Sequence, residues 1–237
     1  RGVGRPLRRL FAPEPLELTT VLAVAGIGAY ACALNAFEVG RHPGPTLLDQ
    51  RALDLAERLR SAALVDVAKV VTAFGAFPSV AILVLITTAV LASKGRRAEP
   101  VALVVGFLLV YVGVQLMKAG FDRPRPAGSL VATRGSAFPS GHTAYSTAWV
   151  AAAVAVWSWL GLAGRASLVL AAVAASAAIG LSRVYLGAHW LSDVVAGWGL
   201  GAAIFGLMAA IALIVTYIRH NERPWTSTSP QSRSPSP

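Results

Sequence analysis

The sequence predicts an all-α integral membrane protein, a six-helix transmembrane bundle with one amphipathic helix lying at the interface. Three observations point there. Of 237 residues, 55% are hydrophobic and only 14% charged, against about 25% charged in soluble domains. Apolar runs close to the ~20 residues that span a bilayer recur along the chain. The polar breaks between them are basic: 21 Lys and Arg stand against 11 Asp and Glu, a formal charge of +10. The mean hydropathy of +0.61 excludes a disordered chain. A chain both greasy and basic fits cationic loops on anionic lipid, or a site for an anionic substrate. Nucleic acid is disfavoured as a partner, because the basic residues fall in short separated groups rather than one stripe. The single cysteine, Cys32, excludes an intrachain disulfide and a cysteine-based zinc site, and reads as a small apolar filler.

The elements follow in order. Residues 1–17 form a basic arm with Arg1, Arg5, Arg8 and Arg9, expected on the cytoplasmic side. Residues 18–218 form the six-span domain. The first span, 18–37, also resembles a signal peptide, with small residues at 31–33, but it exceeds the ~7–15-residue core of such a segment. From Leu47 to Leu59, apolar residues recur at helical spacing between charges at Asp49, Arg51, Asp54, Glu57 and Arg58. That pattern predicts a helix on the membrane surface with a solvated polar face. Residues 62–74 continue as a helix carrying Asp66 and Lys69, three apart and read as a solvated face. Further spans are predicted at 77–92, 101–117, 143–160, 166–181 and 191–218. Gly, Pro, Arg and Ser break the pattern over 119–141. The Ser/Pro-rich tail, 219–237, reads as disordered and cytoplasmic.

Six spans put both termini on one side. Eleven basic residues then lie inside with four acids, and ten lie outside with seven acids. The nearly pure basic character of the inner segments favours cytoplasmic termini.

The polar residues at the helix ends carry the functional signal. Lys118 closes the third span and Arg125 follows it. His142 opens the fourth, Arg183 closes the fifth, and His189 and Asp193 open the sixth. Alternating helix direction brings all of these to one membrane face, where ionisable groups are costly and mark function. Residues before proline are extended, so Arg123 and Arg125 are expected on opposite sides of a strand, one facing the site and the other water or head groups. Guanidinium forks and an ammonium suit phosphate oxygens, although interfacial cations also snorkel without function. Ser140 is placed to cap a helix, and Gly141 lets backbone approach an anion at that helix start. His142 stands next to it as a proton donor. His189 and Asp193, four apart on one face, suit a carboxylate hydrogen-bonded to an imidazole. A metal held by His142, His189 and Asp193 is the alternative, opposed by three nearby cations.

Together these segments resemble the type 2 phosphatidic acid phosphatase family. Lys118, six residues, then Arg125 and Pro126 is similar to its first motif. Residues 139–142, Pro-Ser-Gly-His, match the second. Ser182 and Arg183, five residues, His189, three residues, then Asp193 match the third. The resemblance implies a metal-free, cofactor-free membrane phosphatase working through a phosphohistidine. It makes His189 the nucleophile, Asp193 its orienting partner and His142 the acid and then the base. Lys118, Arg125, Arg183, Ser140 and Gly141 become the phosphate cradle. With the termini cytoplasmic, the site faces outward from a plasma membrane. A lipid phosphate or diphosphate is then the expected substrate: undecaprenyl or related prenyl diphosphate, phosphatidic acid or phosphatidylglycerol phosphate. A phosphotransferase using the same site and a non-catalytic binder or transporter of anionic lipids are the alternatives. The motifs do not specify the lipid or an oligomeric state.

Overall fold

A computed structural model of the chain describes the backbone of residues 15–221 and the side chains of 17–219. Residues 1–14 and 222–237, with most of the expected basic arm and Ser/Pro tail, lie outside the described residues. The described chain is helical: α1 (Pro15–Arg41), α2 (Leu47–Arg58), α3 (Ala62–Ala73), α4 (Phe77–Ser93), α5 (Ala98–Gly120), α6 (Gly141–Val156), α7 (Leu162–Tyr185) and α8 (Leu191–Asn221), with a 3₁₀ turn at Trp157–Trp159.

Four of these helices are long and apolar enough to cross a membrane: α1, α5, α7 and α8. The pair α3 and α4 makes a fifth if its 47° bend is read as one broken span. The expected fourth span is shorter than the sequence pattern suggests. Its α-helix stops at Val156, after 16 residues, about 24 Å at ~1.5 Å per residue, less than a ~30 Å hydrocarbon core. The described residues therefore form an all-α bundle of four or five candidate membrane spans, against which the shorter α6 packs.

The core is built on α8, which packs against α1, α5 and α6. Small residues permit the approach. A methyl on Gly28 of α1 would sit 2.7 Å from the Gly199 carbonyl oxygen of α8, and one on Gly199 would sit 2.6 Å from the Gly28 carbonyl oxygen. Two backbones in contact leave no room for a side chain, which is the packing mode of small-residue membrane interfaces. Cys32 is buried in this same contact, as the filler reading expected. A second seam of Val80, Val84, Leu103, Phe107, Val110, Val114 and Phe205 joins α4 and α5 to α8.

The amphipathic α2 forms as its pattern predicts. Thr46 and Asp49 make a reciprocal capping box, which fixes where the helix begins. Leu47, Leu48, Leu55 and Leu59 are exposed. Asp66 and Lys69 of α3 are exposed and make no ion pair among the described residues. One part of the α2 reading is corrected: Asp49 is not on a solvated face but is 1% exposed, turned inward against α8.

Candidate active site

The ends of α5 and α7 and the starts of α6 and α8 meet around one cavity of about 220 Å³. Lys118, Arg125, Gly141, His142, Arg183 and His189 all line it, together with Thr133, Arg134 and Tyr145. The convergence expected from alternating helix direction is thus present for Lys118, Arg125, His142, Arg183 and His189, while Asp193 is fully buried and not in the lining.

Local structure explains the placement. α7 is closed by Gly187, whose φ of +64° is the left-handed conformation glycine adopts without strain. The resulting turn folds back so that the Arg183 carbonyl accepts from the amides of Ala188 and His189, at 2.9 and 3.3 Å. Arg183 and His189 are six positions apart in sequence but neighbours in the cavity wall. The start of α6 is docked on α8 by the Ser140 amide, which donates to the Asp193 carbonyl at 3.0 Å. Gly197 is required beneath it, since a methyl there would lie 2.6 Å from the Ser140 carbonyl oxygen.

The imidazole of His189 has two different environments. Its Nε2 lies 3.2 Å from Arg125 Nη1. A guanidinium only donates, so Nε2 carries the lone pair and the ring proton belongs on Nδ1. Nδ1 lies 3.5 Å from Asp193 Oδ2 but without hydrogen-bond geometry. The expected carboxylate–imidazole hydrogen bond is therefore replaced by a close approach of the carboxylate to the ring. The reason is competition: Asp193 Oδ1 accepts from Arg123 at 2.6 Å, and Oδ2 accepts from the Trp190 amide at 2.9 Å. Burial pushes the His189 pKa down to about 4; Asp193 opposes this, and Arg125 and Arg183 reinforce it. The ring is neutral at pH 7, with its unprotonated nitrogen towards Arg125.

Three of the four cations that line the cavity, Lys118, Arg125 and Arg183, are held differently. Arg183 donates from Nη1 to Thr72 of α3 at 2.9 Å, while its buried Nε has no hydrogen-bond partner. A buried donor left without a partner carries an uncompensated desolvation cost. Lys118 Nζ donates to the Ser136 carbonyl at 2.6 Å. Arg125 is clamped by the carbonyls of Arg134, Gly135, Ser136 and Ala188. An anion entering the cavity competes with these carbonyls for the same donors.

Two expectations need correction. Ser140 occupies the N-cap position of α6, but its side chain makes no cap hydrogen bond. Its hydroxyl is fully buried and accepts from Thr143 Oγ1 at 2.8 Å, and Ser140 is not in the cavity lining. Arg123 faces neither water nor head groups. Its side chain is 0% exposed and bridges Asp193 and Asp49. Sequence reasoning missed Asp49, Arg123 as a buried residue, Ser192, Thr72, Tyr145 and Arg134. For Asp49 a signal existed, the Thr-x-x-Asp capping pattern over 46–49.

The family model described as PAP2 superfamily matches residues 99–218, just over half of the chain. An undecaprenyl-diphosphatase of Sulfolobus acidocaldarius is 35% identical over 112 residues, 47% of this chain and 50% of that protein. The chain thus spans about half the length of this curated relative. A transmembrane PAP2-type phosphatidylglycerolphosphate phosphatase from Bacillus subtilis superposes with a TM-score of 0.65 at 23% identity, over 82% of this chain and 95% of that one; it speaks for the fold alone. Aquifex aeolicus LpxE gives a TM-score of 0.54 at 26% identity, over 71% and 96%. The matched region contains all three motifs and every helix end that lines the cavity, so the chain belongs to the PAP2 superfamily.

Proposed function

We propose that this protein is a membrane lipid phosphate or diphosphate phosphatase that works through a phosphohistidine at His189, without a metal. One observation carries the reading. His189 lines a small cavity with Lys118, Arg125 and Arg183, and its Nε2, which carries the lone pair, lies against Arg125. Phosphoryl transfer asks for positioning and charge stabilisation, which an imidazole between three cations supplies.

In the first step Nε2 bonds phosphorus and the phosphorus–oxygen bond to the lipid breaks. His142 gives the departing oxygen its proton. In the second step water attacks phosphorus, His142 takes its proton, and the nitrogen–phosphorus bond breaks. Lys118, Arg125, Arg183 and the start of α6 at Gly141 hold the phosphoryl oxygens. Splitting the reaction at a covalent nitrogen replaces one difficult displacement by two easier ones. Ser140 contributes by fixing the α6 start, its hydroxyl being engaged with Thr143.

The remaining assignments follow from the membrane setting. In a six-span arrangement α6 and the turn after it complete the fourth crossing, and α2 lies along the interface on its leucines. The basic inner segments put the termini in the cytoplasm and the cavity at the outer face of the plasma membrane. A head group reaches the cavity there while its tails stay in the bilayer. Prenyl diphosphates such as undecaprenyl diphosphate come first among the substrates, in keeping with the Sulfolobus relative. Phosphatidic acid and phosphatidylglycerol phosphate follow.

The test is phosphate release by the purified protein in detergent from these three lipid classes, with and without chelator. Release from at least one class, unchanged by chelator and abolished in His189→Ala, is expected. Full activity in His189→Ala contradicts the mechanism. Label passed from substrate to a second lipid, in place of free phosphate, makes the protein a phosphotransferase. Binding without turnover makes it a lipid binder.

A further inference from the structure

Behind the cavity lies a cluster of charges that the reaction does not touch. Arg123 is fully buried and all five of its N–H donors are spent. Nε donates to the Pro43 carbonyl at 3.3 Å. Nη1 donates to Ser192 Oγ at 2.8 Å and Asp193 Oδ1 at 2.6 Å. Nη2 donates to the Gly44 carbonyl at 3.3 Å and Asp49 Oδ2 at 2.8 Å. Asp49 also accepts from the Ser192 amide and hydroxyl, both at 2.8 Å. Burial acts against its ionisation, but the Ser192 and Thr46 amides, the Ser192 hydroxyl and Arg123 outweigh it and keep the carboxyl below its usual range.

We propose that Arg123 and Asp49 are positioning residues for the His189–Asp193 pair, so that the interfacial helix α2 is part of the catalytic apparatus. This rests on the phosphohistidine reading above. Asp193 reaches the ring through Oδ2, and its other oxygen is fixed by Arg123. Remove Arg123 and the carboxylate beside His189 loses both its aim and its counter-charge. Asp49 adds something separate. One guanidinium shared by two buried carboxylates leaves one negative charge in excess, 3.5 Å from His189 Nδ1 at its closest. When Nε2 bonds phosphorus with the proton still on Nδ1, the ring becomes cationic. A fixed excess of negative charge stabilises that ring more than the neutral resting one, which is the differential binding that speeds a reaction. The other groups acting on the ring, Arg125 and Arg183, are cationic. Within the protein, the negative charge nearest the ring lies behind it.

A clamp that merely joined α2 to α8 makes different predictions. Asp49→Asn keeps the shape and an acceptor oxygen but removes the charge. The proposal expects kcat per active site, counted by burst amplitude, to fall at least roughly tenfold with KM within about twofold. It also expects the His189 ring, followed by nitrogen NMR in detergent, to titrate at lower pH than in the wild type. Asp49→Glu restores part of both. Should Asn at 49 prevent folding, Arg123→Lys replaces it, since an ammonium keeps the charge without bridging both carboxylates, and the same fall in kcat is expected. A lowered melting temperature with unchanged kcat per site and an unmoved ring titration overturns the proposal. Wild-type protein that releases no phosphate from any lipid overturns the phosphatase reading instead, and the ring titration still tests the charge coupling.

Discussion

Arg123 and Arg125 stand two residues apart, separated by one proline, and live in opposite worlds. Arg125 borders the cavity, touches His189 and holds loop carbonyls that an anion can displace. Arg123 lies behind the wall, fully buried, with two carboxylates and no share in the cavity. The same guanidinium is a ligand-binding group in front and an internal counter-ion behind. Residue type and local spacing do not distinguish these roles; the difference lies in what the rest of the chain brings to each side.

Loss of Arg123 is expected to have the largest effect on stability. Arg123→Ala leaves Asp49 and Asp193 buried without their cation, and breaking such a pair costs about 3–5 kcal/mol. Thermal unfolding in detergent should show a marked drop in melting temperature. A near-native melting temperature would mean that the back cluster is solvated, and would erase the contrast. Arg183→Ala removes a front-wall donor instead. Its kcat should fall roughly 10²–10³-fold, as for loss of one transition-state donor, with a smaller change in melting temperature. Steady-state kinetics beside an unfolding curve separates the two. Ser140→Ala sharpens the boundary. Its hydroxyl bonds Thr143 rather than facing the cavity, so the change should cost about 1–2 kcal/mol of stability and leave kcat nearly intact. A hundredfold loss of kcat would return Ser140 to the front wall.

The front was largely legible in the sequence. Lys118, Arg125, His142, Arg183 and His189 sit at helix ends that alternate in direction, so hydropathy and spacing alone place them on one face. The back was not. Asp49 shares α2 with Arg51, Asp54 and Glu57; the capping pattern with Thr46 singles it out as a helix-start residue but says nothing of its burial against α8. Its partners Arg123 and Ser192 are 74 and 143 positions away. A buried ion cluster is assembled by tertiary packing, and periodicity reports only whether a residue shares a face with apolar neighbours. The length of α6 was hidden for a related reason. Its apolar composition continues through Trp157 and Trp159, while the helix tightens into a 3₁₀ turn at that point.

The most direct test of the account is whether phosphate becomes bonded to His189. Wild-type protein mixed with a labelled lipid phosphate, quenched in alkali within one turnover and digested, should yield the His189 peptide carrying one acid-labile phosphate. That adduct should form before free phosphate appears and should persist longer in His142→Ala, which lacks the base for the second step. Release of phosphate at the wild-type rate with no label on His189 at any time would contradict the account.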